Sequence, residues 1–325
     1  MDQDPRPLFS IVTSLFNSNA YLEEFYTRTR KAVESVTDRY EMIFVNDGSP
    51  DGSLEKAIRI QQRDPRVVVI DLSTNFGQHK ANMTGMAHAA GEYIFLVEVD
   101  LEESPEWIVD FFMKLKEEED VDVVYGLQDE RKGGVFERIS GSLFYKIYNL
   151  CSDTKIPENH VTARLMTRRY VQALLEYKER ELFLGGVYEL VGFIQKPFRV
   201  AKLSHSKTTY TVTKKLRLLV NAITSFSTLP LWIIFWVGFF VSLFSSGVIF
   251  YVVLRRILGT IVEGWTSLIA SIWAMGGLLM LSLGVIGIYL KKVMEEVKER
   301  PYTIIKHIYR QEHTPEQNAI MVPKN

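Results

Sequence analysis

Glu98, Asp100 and Glu102 alternate with Val99 and Leu101 just after the apolar run Tyr93 to Val97. On an extended backbone that spacing sends three carboxylates to one face and two apolar side chains to the other. Hard divalent cations such as Mg²⁺ and Mn²⁺ take oxygen ligands, usually one or two from protein and the rest from water and substrate phosphates. Glu98, Asp100 and Glu102 are therefore candidate metal ligands. An ordinary solvated strand end carrying surface acids is the other reading, and the position at a strand's carboxyl end weighs toward a site.

Elements that position such a site alternate along the first half of the chain. Phe9 to Phe16, Glu41 to Val45, Val67 to Leu72 and Val121 to Leu127 read as buried strands. Tyr21 to Val36, Leu54 to Gln62, His79 to Ala90 and Trp107 to Glu118 read as helices between them. Alternation at this spacing predicts parallel pairing in a doubly wound α/β sheet, with ligands beyond the carboxyl ends of the strands. Four segments then share one edge: 17–19, 46–49, 73–77 and 98–102.

The second of these belongs to the run NDGSPDGS, 46–53, which supports two readings. Pro-Asp-Gly and Asp-Gly form turns, and Ser53 is placed to cap a helix beginning near Leu54. Alternatively, Asp47 at a strand end accepts hydrogen bonds from a nucleotide base. There is no G-x-G-x-x-G after the first strand and no G-x-x-x-x-G-K-[ST], so neither a dinucleotide fingerprint nor a P-loop is indicated.

At 325 residues and 47% hydrophobic content the chain is long enough for a full core and a second region, and its formal charge of −1 argues against nucleic acid as a partner. Cys151 stands alone and forms no intramolecular disulfide, which suits a reducing compartment. The opening MDQDPRPL has neither a basic n-region nor an apolar h-region, so no cleaved signal peptide is expected.

Beyond Leu229 the composition changes. Residues 229–254 and 267–290 contain no charged side chain, and each is long enough to cross about 30 Å of hydrocarbon. Lys207, Lys214, Lys215 and Arg217 precede them, and Lys291, Lys292, Lys298 and Arg300 follow. The positive-inside bias then places both ends of a two-helix hairpin, and the first half of the chain, on the cytoplasmic side. Val212 to Phe226 reads as an amphipathic helix at the membrane surface, and Val293 to Ile308 as a second. The expected divisions are 1–211, 212–228, 229–290 and 291–325.

Several stretches together resemble a known family. Phe16-Asn17, VNDGSPDGS, LSTNFGQHKANMTGMAHAAGEYIFLVEVD, DLEESPEW, VYGLQDERKGGVFERISGSLFYKIYN and LRLLVNAITSFSTLPL follow, in order, the pattern of family 2 glycosyltransferases of the dolichol-phosphate-mannose-synthase type. That group includes bacterial enzymes that load a sugar onto a polyprenyl phosphate. The resemblance implies a GT-A (Rossmann-like) fold, a UDP- or GDP-sugar donor, a divalent cation (Mg²⁺ or Mn²⁺) and a polyprenyl phosphate acceptor. It also implies a multi-pass protein of the bacterial inner membrane with a cytoplasmic catalytic domain. Carried onto this sequence, Phe16, Asn17, Asp47, Asn75, Gly77 and Glu98 are candidates for the donor. Asp100, Arg131 and Arg164 are candidates for catalysis, and Arg138, Ser140, Lys207 and Tyr210 for the acceptor phosphate. The chain departs from the family pattern at Glu98, where the first acid is usually Asp, and at Gln128 and Thr162. A catalytically silent membrane scaffold of the same fold is accordingly one alternative. A polysaccharide synthase is the other, weakened by the lack of Q-x-x-R-W and by only two spans. Homo-oligomerisation is compatible with the sequence, which fixes no oligomeric state.

Overall fold

The computed structural model describes residues 6–128, 146, 149–150, 156–157, 159–177, 184–202, 227–258 and 264–311. The chain divides into two compact units, one of Met1–Ser142, Ile156–Thr209 and Pro301–Asn325, the other of Leu143–Lys155 and Tyr210–Arg300.

In the first unit β1 (Phe9–Leu15), β2 (Tyr40–Asn46), β3 (Val67–Leu72) and β4 (Tyr93–Leu96) pair in parallel. The helices α1 (Leu22–Glu34), α2 (Ser53–Arg63) and α3 (Gln78–Ala87) connect them, and α4 (Trp107–Glu117) follows. These strands are largely apolar because both faces of the sheet are covered, with Ser10, Thr13, Asn46 and Asp71 buried among them. Phe9, Ile11, Phe44 and Val69 join one core with Phe25 of α1, Ile60 of α2 and Phe111 of α4. Val12 and Val45 point the other way, onto α3. There a Cβ added to Gly85 would lie 2.5 Å from Val12 Cγ1, so glycine is what lets that helix lie so close. Register aligns the ends: Leu15 pairs with Asn46 and Asn46 with Asp71. The segments that follow these three strands leave from one level edge. β4 stops earlier, at Leu96 opposite Val12.

Outside this parallel core, which is as expected, the sheet is mixed, because strands from the second half of the chain join it. With β5 (Val123–Gln128), β6 (His160–Thr167), β7 (Gln195–Val200) and β8 (Ile305–Tyr309), its order is β7-β5-β6-β4-β1-β2-β3-β8. β6 lies between β4 and β5 and runs antiparallel to both. After α5 (Arg168–Leu175) and α6 (Leu184–Leu190), β7 pairs parallel to β5. The inserted strand brings Val161, Ala163 and Leu165 to the core and leaves Thr162 and Arg164 on the opposite face.

The second unit holds α7 (Leu229–Ile257) and α8 (Trp265–Val297). At 29 and 33 residues they run about 44 and 50 Å, more than a hydrocarbon core requires. Their spans Leu229–Val248 and Ala274–Val297 have mean hydropathies of 2.0 and 1.7 and are not buried. Phe244 is 75% exposed and Met280 73%, which is the reverse of a core helix in a water-soluble domain. At the start of α7, Ser227 Oγ accepts from Leu229 N at 3.0 Å and Ser227 O from the Tyr289 hydroxyl at 2.7 Å.

An amphipathic helix over Val293 to Ile308 is not formed. α8 ends at Val297, Pro301 has no N–H with which to continue it, and Ile305–Tyr309 becomes β8, antiparallel to β3. The segment is tied down by Ser73 N to Ile304 O at 2.9 Å and by the Thr84 and Thr303 hydroxyls at 2.7 Å. Lys306 Nζ also approaches Asp71 Oδ2 at 3.7 Å. Residues after Pro301 thus belong to the α/β unit. The interfacial helix expected over 212–228 lies, except for Ser227 and Thr228, outside the described residues.

Candidate functional site

A cleft of about 420 Å³ opens at the level carboxyl edge, lined by Ser14, Phe16, Asn17, Asp47, Asn75, Gly77, Gln78, Glu98 and Asp100 among others. All six candidate donor residues and Asp100 are in its wall. Its first side is a clasp between the loops after β1 and β2. Asn17, in the left-handed region at φ 55°, donates its N–H to Ser49 Oγ at 2.8 Å, and Ser18 donates to Ser53 Oγ at 3.0 Å. Asp51 gathers the clasp, accepting from Asn19 N at 2.9 Å and from the Ser49 hydroxyl at 2.6 Å. Burial pushes its carboxyl pKa up, but the Ser49 and Ser53 hydroxyls and two backbone N–H groups outweigh it and bring it to about 2. Ser53 is the first residue of α2 and makes no side-chain cap. The capping role expected of it is replaced by this tie across loops.

Asp47 performs a second tie. It continues the β2 row of Ile43 and Val45 that faces α3, and its carboxylate accepts from Phe76 N at 2.7 Å and Gly77 N at 3.0 Å. Its carbonyl accepts from Asn75 Nδ2 at 3.0 Å. Burial raises its pKa, and the two N–H groups oppose that rise. Gly48, at φ 62°, has no room for a side chain, since a Cβ would fall 2.7 Å from Asn75 N. The loop after β3 is thus held on the cleft floor by main-chain contacts. Phe16 is left 49% exposed at the wall, an open aromatic face.

The opposite side carries the acids, in a geometry the alternation did not anticipate. β4 ends at Leu96, and the buried Leu101 adopts φ 61°, so the backbone turns between Asp100 and Glu102. The three carboxylates do not share a strand face. Glu98 accepts from Gln78 Nε2 at 2.9 Å and Thr162 Oγ1 at 2.9 Å, and pairs with Lys202 Nζ at 3.1 Å. Glu102 turns from the cleft to the same ammonium at 3.5 Å. Glu103, fully buried, accepts from Thr162 N at 2.8 Å and lies 3.7 Å from Lys202. Burial favours neutral Lys202, but the charges of Glu98, Glu103 and Asp100 outweigh it and hold its pKa above the ordinary lysine value. Burial likewise pushes Glu98 up, and Lys202 with the hydrogen bonds more than reverses it. Burial and the Glu98 charge drive Glu103 up to about 8. Lys202 and Glu103 are functional candidates that sequence reasoning missed, while Thr162, noted there only as a departure from the family pattern, is placed here against Glu98 and Glu103.

Asp100 differs from these. It lines the cleft and accepts from Glu102 N at 3.0 Å, and burial followed by the Glu98 charge raises its pKa. Burial is the larger cause of that rise and the neighbouring Glu98 charge the smaller, and a bound cation would oppose both. Among the described residues no three acid, histidine or cysteine side chains converge as a complete cage. The set therefore fits a cation held by Asp100 and completed by donor phosphates, with Glu98 engaged by Lys202 and Glu102 turned away.

Arg164 does not reach the cleft. It is 3% exposed, its guanidinium stacks 3.3 Å over the Tyr188 ring, and it lines a small separate cavity with Tyr125, His160 and Glu189. Arg131, Arg138, Ser140, Lys207 and Tyr210 lie outside the described residues.

A mixed α/β sheet with a parallel core, an aromatic and an aspartate beyond the first two strands, and an acidic turn beyond the fourth define a GT-A glycosyltransferase. The chain belongs to glycosyl transferase family 2, whose profile matches residues 10–175. A Mycobacterium tuberculosis protein described among the "putative glycosyltransferases" is 44% identical over 92% of this chain and 88% of its own length. The SfII prophage-derived bactoprenol glucosyl transferase of Shigella flexneri is 32% identical over 93% of this chain and 98% of its own. The prophage bactoprenol glucosyl transferase homolog of Escherichia coli K12 is 33% identical, with coverages of 92% and 98%.

Proposed function

We propose that this glycosyltransferase moves a sugar from a UDP- or GDP-sugar to a polyprenyl phosphate, with inversion at the anomeric carbon. The observation that carries the reading is the meeting of Phe16, Asp47 and Asp100 in one cleft, in a chain similar over almost its whole length to bactoprenol glucosyl transferases. The base stacks against Phe16, and Asp47, besides holding the loop, accepts from its N–H edge. Asp100 directs the diphosphate. A divalent cation bound there would neutralise the diphosphate as it leaves. The acceptor phosphate oxygen forms a bond to the anomeric carbon from the face opposite the breaking C–O bond. That oxygen needs little help from a base, because the second pKa of a phosphate monoester is about 6. Positioning and charge carry the catalysis.

The same reading makes α7 and α8 a hairpin in the bacterial inner membrane with its catalytic unit cytoplasmic. β8 supports it: a strand that follows α8 and pairs with β3 must lie on the same side of the membrane as that sheet. Full-length protein in detergent, given polyprenyl phosphate, a cation and labelled nucleotide sugars, should yield a labelled lipid that mild acid cleaves. Polymer product would favour a polysaccharide synthase, and no product from any donor would favour the silent scaffold.

A further inference from the structure

Lys202 lies two residues beyond β7, far in sequence from the acids it meets. Its Nζ is 3.1 Å from Glu98 Oε2, 3.5 Å from Glu102 Oε2 and 3.7 Å from Glu103 Oε1. One ammonium stands where three carboxylates converge, beside the cleft wall formed by Glu98 and Asp100. A dication at Asp100 that took Glu98 as a second protein oxygen in place of a water or phosphate would find it already accepting from Lys202, Gln78 and Thr162. Ammonium and dication repel, so they cannot both occupy the Glu98 carboxylate at full strength. The side chain that would have to yield is a four-carbon stem, 23% exposed, on a segment outside any strand. A nucleotide diphosphate in the cleft supplies what would draw it away, namely anionic oxygens that can accept from Lys202 and complete the cation's shell.

We infer that Lys202 is a positioning residue that competes with the divalent cation for Glu98, making cation binding depend on prior or simultaneous binding of the donor diphosphate. This rests on the reading of the cleft as a donor and cation site. The competition differs from a plain structural ion pair, which would leave cation affinity unchanged once the fold is intact.

The test is Mn²⁺ binding to full-length protein in detergent, followed by the electron paramagnetic resonance signal of free Mn²⁺, with no nucleotide and then with UDP or GDP. Wild type should bind Mn²⁺ weakly alone and more tightly with one of the nucleotides. Lys202→Met should tighten nucleotide-free binding by about tenfold or more, in the range that partners of metal ligands command. Lys202→Arg keeps the charge, and its fork grips a carboxylate in two places, so the folded variant should bind Mn²⁺ more weakly in the nucleotide complex. Nucleotide-free affinity in a folded Lys202→Met equal to wild type overturns the competition, as does Lys202→Arg that binds like wild type. If Mn²⁺ binds no form even with UDP or GDP, the cation site itself fails, and the role of Lys202 with it.

Discussion

The cleft has two acidic sides that are answered by different partners. On the β1–β2–β3 side, Asp47 and Asp51 accept from backbone N–H groups and serine hydroxyls. On the β4 side, Glu98, Glu102 and Glu103 gather about one lysine ammonium. Backbone donors are fixed once the fold forms, so carboxylates bound to them set the shape of a site. A lysine ammonium is a point charge on a four-carbon stem that the main chain does not fix, although Glu103 is held by Thr162 N and Glu98 by Gln78 and Thr162 as well. The first side holds its geometry through the backbone, and the inference drawn for Lys202 assigns an exchange of charge to the second.

Substitutions can break that contrast, beginning with the largest effect. Asp100→Asn removes the cleft carboxylate whose charge is least answered and should lower transfer by at least about a hundredfold, the scale of losing one transition-state electrostatic contact. Its melting temperature should move little, and retained transfer with unchanged metal dependence would remove Asp100 from the site.

Asp47→Asn should do both kinds of damage at once. An amide cannot accept from Phe76 N and Gly77 N together, because its NH₂ faces one of them, so about 1–3 kcal/mol of stability is at stake. The loop also forms the donor wall, and the Michaelis constant for donor should rise while that for acceptor holds. Unchanged stability would show that those two backbone bonds are not a structural tie in solution.

Asp51→Asn should cost only stability, about 1–2 kcal/mol near neutral pH after allowance for its partial exposure. The sign with pH follows from its depressed carboxyl pKa of about 2 against an ordinary 3.8. Such a group stabilises the fold above the unfolded value and loses that contribution as pH falls through the folded one. Wild type should therefore weaken between about pH 4 and pH 2 more steeply than Asp51→Asn, read by thermal unfolding in detergent. Parallel curves would mean the clasp does not depend on the ionised carboxylate.

How far the sequence disclosed this molecule also divides along the two sides. The strands and helices from Phe9 to Glu117 were legible because buried parallel strands are continuous apolar runs separated by amphipathic helices. Asp47 and Asn17 were placed at the cleft because they follow such strands directly, whereas Phe16, read as the end of the first strand, entered only through the family resemblance. Lys202 was not legible, since its partners lie about a hundred residues earlier and no local pattern marks a tertiary ion pair. The acidic turn was misread as extended because Leu101 satisfies the alternation rule while adopting a left-handed backbone. Arg164 has the composition of a phosphate ligand, and only the structure shows it packed on Tyr188. β8 was taken for helix because residues 293–308 carry apolar side chains at helical spacing, although Pro301 in that stretch was a signal against it.

The placement of β8 bears on how the protein is made. Synthesis runs at about 5–20 residues per second, so Val69 is finished well before its partner Tyr309 leaves the ribosome. Throughout that interval the outer edge of β3 is an unpaired strand, open to wrong partners. Both apolar helices emerge before the strand that covers it. A hairpin that inserted with a single crossing would strand Ile305–Tyr309 across the bilayer, and the catalytic sheet would keep its bare edge. On the proposed topology, completion of the sheet is contingent on both apolar helices crossing, and a chain that crossed once would keep an exposed strand edge at β3.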